Sequence, residues 1–210
     1  AEMYEMVDGK CVPKFNSEEG QVGWKVLQDF YNNNYTVSMT TEEGLAAFIS
    51  GKVAIIGVST ARAAYFTENC DFSLDSWECP GYEGHELKTA TGGNMLVTVA
   101  KDEEQIKACW EFLKFLYEPE NLKVFIEATG YLPPIVGMEE ELSDFINNAV
   151  GIQTGIDSLQ HATAWTSWPG PNGLEVEQIM YNMRDSITAG ADIPTALAEA
   201  EEKVIALMDY

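Results

Sequence analysis

The chain has 210 residues, 46% of them hydrophobic, with 34 acidic against 12 basic side chains and a formal charge of −22. That apolar content can fill the core of one large or two small domains, while the charge disfavours nucleic acid and anionic membranes and leaves a neutral solute such as a sugar indifferent. No window approaches the roughly 18 consecutive apolar residues that span a bilayer, and the N-terminus lacks the basic-then-apolar pattern of a signal peptide.

Residues 1–16 read as irregular or edge-strand chain, with a turn at Asp8-Gly9 before Cys11, Val12 and Phe15. Asn16 or Ser17 caps a helix carrying Val22, Val26, Leu27 and Phe30, which the asparagines at 32–34 end. Thr40 or Thr41 caps a second helix through Leu45, Phe48 and Ile49, stopped by Gly51. The unbroken apolar run Val53–Val58 predicts a buried strand, after which Ser59 and Thr60 open a helix containing Ala63, Ala64 and Phe66. Asn69–Lys88 is rich in turn formers and reads as loop, with one strand near Phe72–Trp77.

The stretch Thr89–Pro134 organises the middle of the chain. Gly92 and Gly93 precede an expected strand through Met95, Leu96, Val97 and Val99, so the backbone is most permissive where another group could approach. Ile106, Cys109, Trp110, Leu113, Leu116 and Tyr117 recur at helical spacing, and Trp110 is expected in the core. Pro119 stops that helix; a shorter one comes after it, then the turn Gly130-Tyr131-Leu132-Pro133-Pro134. Helices are expected over Glu139–Val150 and Gly155–Ala162, and Trp165–Gly173 breaks the periodicity. Two helices close the chain, one with Leu174, Ile179, Met180, Met183 and Ile187, the other with Leu197, Ala200, Val204 and Leu207. There is no internal repeat and no low-complexity linker.

Cys11, Cys70, Cys79 and Cys109 fit no tight zinc pattern, and His85 and His161 are the only histidines, so we expect no metal and no cofactor. A Cys70–Cys79 bridge is sterically open in an exported protein and is left unassigned. Cys109, on the apolar helix face, is expected to pack as a small hydrophobe.

The succession of helix, Gly-Lys-Val-Ala-Ile-Ile-Gly, acidic loop, Gly-Gly-Asn-Met-Leu-Val, Trp-Glu-Phe-Leu-Lys-Phe-Leu, Thr-Gly-Tyr-Leu-Pro and two closing helices resembles family 1 extracellular solute-binding proteins, the substrate-capturing subunits of ABC importers. The maltose-binding and glycerol-3-phosphate-binding proteins are of this kind. The resemblance implies an α/β, periplasmic-binding-protein-like (type II) fold, and it matches only the later half of such proteins. On that reading residues 1–88 belong to the C-terminal lobe, 89–136 form the hinge and a segment that crosses to the N-terminal lobe, and 137–210 return. A missing N-terminal lobe or a partner chain is then expected to cover part of the surface. The further expectations are a membrane permease as partner and a place outside the cell, as an anchored lipoprotein or in the periplasm.

The resemblance also implies the site. Ser59 and Thr60, Gly92 or Gly93, and Tyr131 fall at the cleft, and the loop bearing Trp165, Trp168 and Asn172 presents aromatic surface nearby. A sugar site needs aromatic faces for the apolar side of the ring and fixed polar groups for its hydroxyls. Each residue has a plainer reading: Ser59 and Thr60 as a helix cap, the glycines as relief of backbone crowding, Tyr131 and the tryptophans as core. Where the phosphate-recognising branch carries an arginine, this chain has Pro169-Gly170-Pro171-Asn172-Gly173. Arg184 lies inside the next helix, and Arg62 is the possible substitute. A neutral sugar or polyol is therefore the expected ligand. The alternative is a glycoside hydrolase or carbohydrate-active surface protein, which needs two opposed carboxylates; Asp71, Asp75 and Glu78 are the only ones clustered in an aromatic loop. No nucleophile triad or phosphate loop is present, and no catalysis is expected.

Overall fold

A computed structural model describes residues 2–165 and 167–208; Thr166 of the predicted Trp165–Gly173 loop lies outside them. The chain divides into two units, one within residues 1–38 and 166–210 and the other Met39–Trp165.

The first unit begins with an antiparallel hairpin, β1 (Tyr4–Val7) and β2 (Lys10–Pro13), in which Tyr4 faces Pro13 and Val7 faces Lys10. Asp8 and Gly9 both take the positive φ that a type I′ turn requires, as the dipeptide suggests. Helix α1 (Glu18–Asn32) starts where Ser17 Oγ accepts from Gly20 N and ends where Asn33 Nδ2 donates to the Asp29 carbonyl. At the other end of the sequence lie α8 (Gly173–Thr188) and α9 (Ile193–Met208). Their apolar stripes meet with Phe15 and Trp168 in one core that holds Val176, Met183, Ile187, Leu197 and Val204. The hydrogen bonds from Gln28 Nε2 to the Ile187 and Ala191 carbonyls, both 2.8 Å, fasten α1 to the end of α8. Leu174, expected on the inner face of α8, is exposed.

The second unit holds α2 (Thr41–Ile49), with Thr40 and Glu43 in a reciprocal capping box, then a 3₁₀ turn Thr60–Arg62 running into α3 (Ala63–Asn69). Next come β3 (Thr89–Thr91), α4 (Glu103–Leu116), α5 (Pro119–Thr129), α6 (Ser143–Asn148), α7 (Ile152–Asp157) and β4 (Ala162–Ala164). Its core packs α3, α5, α6 and α7 through Ala63, Leu122, Ile126, Leu142, Ile146 and Ile152. Helices α6 and α7 are shorter than the expected 139–150 and 155–162, because turns occupy the first of these spans and a 3₁₀ turn, Ser158–His161, the second.

The expected strands at Val53–Val58, Phe72–Trp77 and Met95–Val99 do not form. A strand is secured by ladder hydrogen bonds to a neighbour. Among the described residues of this unit the only ladder is the short parallel pairing of β3 with β4. The three segments therefore stay extended or irregular, and Ile55 and Val99 are 70% and 85% exposed. Helix α4 has the predicted stripe but buries none of it: Trp110, expected in the core, is 60% exposed. Cys109 is half-buried and accepts from Thr98 Oγ1 at 3.3 Å.

All four cysteines are unbridged. The loop at 70–79 is held instead by Ser76 Oγ and Thr154 Oγ1, 2.8 Å apart, and by Glu78 facing His161 Nε2 at 3.7 Å.

Candidate functional site

Strands β3 and β4 run parallel in the register Thr89–Ala162, Ala90–Thr163, Thr91–Ala164, and Trp165 N prolongs the ladder by donating to the Thr91 carbonyl at 2.9 Å. Gly92 and Trp165 consequently leave the same, carboxyl end of the ribbon, the end at which α/β sheets meet ligands. The indole of Trp165 is 69% exposed. No atom lies within 4 Å of where a Cβ would stand on Gly92 or Gly93, so relief of crowding does not explain this glycine pair.

Asn94 comes next and donates from Nδ2 to the Tyr131 hydroxyl at 2.6 Å. Tyr131 is placed from below by α5. Gly130, at φ +70°, closes that helix with its N–H on the Ile126 carbonyl, Thr129 Oγ1 accepts from Tyr131 N at 3.3 Å, and the Phe125 ring lies 5.7 Å from the phenol at 45°. Thr60 meets the same turn. A Cβ on Gly130 would stand 2.4 Å from the Thr60 carbonyl oxygen, and one on Gly155 of α7 would stand 2.6 Å from Thr60 Cγ2 and 3.1 Å from Leu132 Cδ2. Two glycines thus allow the Thr60 backbone and methyl to seat against the Tyr131 turn.

Of the residues predicted for the site, the second unit brings Gly92, Gly93 and Trp165 to the end of the ribbon, with Tyr131 reached through Asn94 and Thr60 through Gly130. Ser59 Oγ accepts from Ala61 N at 3.3 Å, so its side chain performs the cap of the plainer reading. Trp168 and Asn172 belong to the first unit. Trp168 is 8% exposed and packs its ring 5.2 Å from Tyr4 and edge-on to Phe15 at 6.2 Å, so it serves the core. The Asn172 amide donates to the Leu207 carbonyl at 2.8 Å. Asn94 is not among the residues the sequence singles out, although its place directly after the glycine pair is a usable signal.

The hydrogen-bonding side chains gathered here, Asn94, Tyr131 and Thr60, are uncharged, the exposed Arg62 lies two residues beyond Thr60, and Trp165 adds an exposed aromatic ring at the end of the ribbon. Asp71 and Asp75 are exposed, and Asp75 Oδ1 accepts from Ser76 N; the third carboxylate of that loop, Glu78, faces His161. Two surface hollows, about 190 Å³ between α8 and α9 and about 250 Å³ beside α3 and α6, are lined by none of the predicted residues.

The sequence matches the bacterial extracellular solute-binding protein family over residues 1–154, and the chain belongs to that family. No relative is found among curated proteins. Solved structures similar in fold include three binding proteins. The cyclic α-maltosyl-1,6-maltose binding protein of Arthrobacter globiformis has a TM-score of 0.75 at 18% identity, over 98% of this chain and 52% of that one. The maltose-maltodextrin binding protein of Alicyclobacillus acidocaldarius gives 0.69 at 13%, over 96% and 55%. UgpB from Mycobacterium tuberculosis, solved with glycerophosphocholine, gives 0.75 at 19%, over 94% and 50%. The likenesses establish the α/β, type II periplasmic-binding-protein fold expected from sequence. The chain spans about half the length of these proteins. Among the described residues no helix is long and apolar enough to cross a membrane.

Proposed function

We propose that the chain is part of the substrate-capturing component of an ABC importer and binds a neutral sugar or related polyol by cleft closure, with no bond made or broken. The observation that carries this reading is the group at the end of the β3–β4 ribbon, where Tyr131 and Asn94 offer fixed polar atoms and Trp165 an open aromatic face. Family membership and the sugar-binding neighbours support it, and so does the loop Pro169–Gly173, which carries no arginine where the phosphate-recognising branch has one. Ser59, Trp168 and Asn172, whose side chains are committed elsewhere, contribute through their backbone or through packing if they contribute at all.

The partner is a membrane permease, and the setting is outside the cell, by lipid anchor or in the periplasm. Residues 89–136 act as the hinge and lobe-crossing segment, and the apolar side chains exposed between Met95 and Trp110 suit coverage by an N-terminal lobe or partner chain. Titration of the full-length protein with maltose, maltotriose and glycerophosphocholine, followed by tryptophan fluorescence, tests the reading. A saturable shift with the sugars, recovered intact, is the expected result. Hydrolysed sugar, or no response to any polyol, overturns it.

A further inference from the structure

The contact between Asn94 and Tyr131 fixes the direction of hydrogen bonding at the site. Resting on the sugar-binding reading above, we propose that the two residues act as one specificity element, in which Tyr131 donates and Asn94 accepts, and that the pair selects a ligand hydroxyl over a phosphoryl, ether or fluoro group. A phenol has one proton and lone pairs on its oxygen. The 2.6 Å bond from Asn94 Nδ2 uses the acceptor side of that oxygen, which directs the Tyr131 proton outward. The Asn94 carbonyl oxygen takes no hydrogen bond from any described residue and lies on an exposed side chain. The Tyr131 proton and the Asn94 carbonyl oxygen, with the second Nδ2 proton beside it, are therefore left for a ligand.

A hydroxyl satisfies both at once, since it accepts and donates. A phosphoryl oxygen takes the Tyr131 proton or the second Asn94 Nδ2 proton but has none to give, so the Asn94 carbonyl oxygen is left unmatched, and a group buried unmatched under the ligand costs more than a matched one returns. Phe125 and the left-handed Gly130 turn fix the phenol from one side, and the β3–β4 ladder ends three residues before Asn94. Asn94 and Tyr131 take part in no ion pair, so the selection is by donor and acceptor pattern and not by charge.

The test uses the full-length protein and its Asn94→Ala, Asn94→Asp and Tyr131→Phe variants, titrated with maltose, maltotriose and singly deoxyfluorinated maltoses. Asn94→Asp is the informative change. It keeps the shape but lacks a donor, so Tyr131 must turn its proton to the carboxylate and only acceptors face the ligand. Maltose affinity should fall roughly tenfold in Asn94→Ala and Tyr131→Phe and further in Asn94→Asp, and the double variant Asn94→Ala/Tyr131→Phe should be no worse than about the poorer single one. The parent should discriminate against one deoxyfluoro position, and Asn94→Asp should lose that discrimination. A purely structural role would lower the thermal midpoint and leave the ranking of ligands unchanged. If the parent binds maltose and all variants bind within twofold with the same ranking, the proposal is wrong and the sugar-binding reading stands. If the parent binds none of the sugars, that reading fails and the proposal fails with it.

Discussion

At Gly130 the φ of +70° and the Thr60 carbonyl oxygen, 2.4 Å from where a Cβ would stand, act against any side chain for separate reasons. The first is the left-handed penalty of about 1–2 kcal/mol for an L-residue, and the second is overpacking against backbone, worth about 1–3 kcal/mol. Gly130→Ala should destabilise the second unit by about 2–5 kcal/mol in denaturant melts and, at the proposed site, weaken ligand binding through Tyr131. A loss under about 1 kcal/mol would mean that the Thr60 turn yields freely. At this scale the sequence is legible in part. The turn at Gly130-Tyr131 is readable because Gly130 punctuates the chain locally. Trp168 reads as a candidate surface aromatic because its Pro/Gly setting is local, whereas Tyr4 and Phe15, which enclose it, lie more than 150 residues away.

Helix ends are where elements and acid titration meet. Asp192 accepts from Thr195 Oγ1 and Thr195 N at the start of α9, and those bonds hold its carboxyl below the usual range. Glu43 is lowered in the same direction by the backbone and side chain of Thr40. Because the folded pKa lies below the unfolded one, each cap contributes fully above the unfolded carboxyl values, near 3.8 for Asp192 and 4.5 for Glu43, and the contribution disappears as pH falls through the folded values. Asp192→Ala should lower the far-ultraviolet melting midpoint by a few degrees at pH 7, and the gap from the parent should narrow as pH falls below 3.8. A gap independent of pH would assign the loss to helix propensity. The same chemistry explains which elements can be read from sequence. Caps at Ser17, Thr40 and Ser59 are visible because a cap is made within three residues. The strands expected at 53–58 and 95–99 carry suitable side chains, but a ladder needs a neighbour, and that condition is not written in the segment itself.

Those unpaired runs leave apolar side chains exposed to solvent. The second unit carries most of them. Met95, Leu96, Val97 and Val99 are exposed in sequence, and Ile106, Trp110, Phe112 and Phe115 are exposed along α4. Two opposing terms then govern the 210-residue chain by itself. Burial of this surface favours self-association at roughly 25 cal/mol per Å² of apolar area, and the charge of −22 opposes it over a Debye length of about 10 Å at 0.1 M salt. Raising salt to 1 M shortens that length to about 3 Å and removes the opposition while leaving the apolar term intact. The chain should therefore pass from largely monomeric at 0.05 M to associated at 1 M salt in light scattering. Val97→Lys with Trp110→Ser should keep it monomeric at both. A parent that stays monomeric at 1 M salt would show that the exposed runs fold back onto their own unit in solution, and would remove the argument that another lobe or chain covers them.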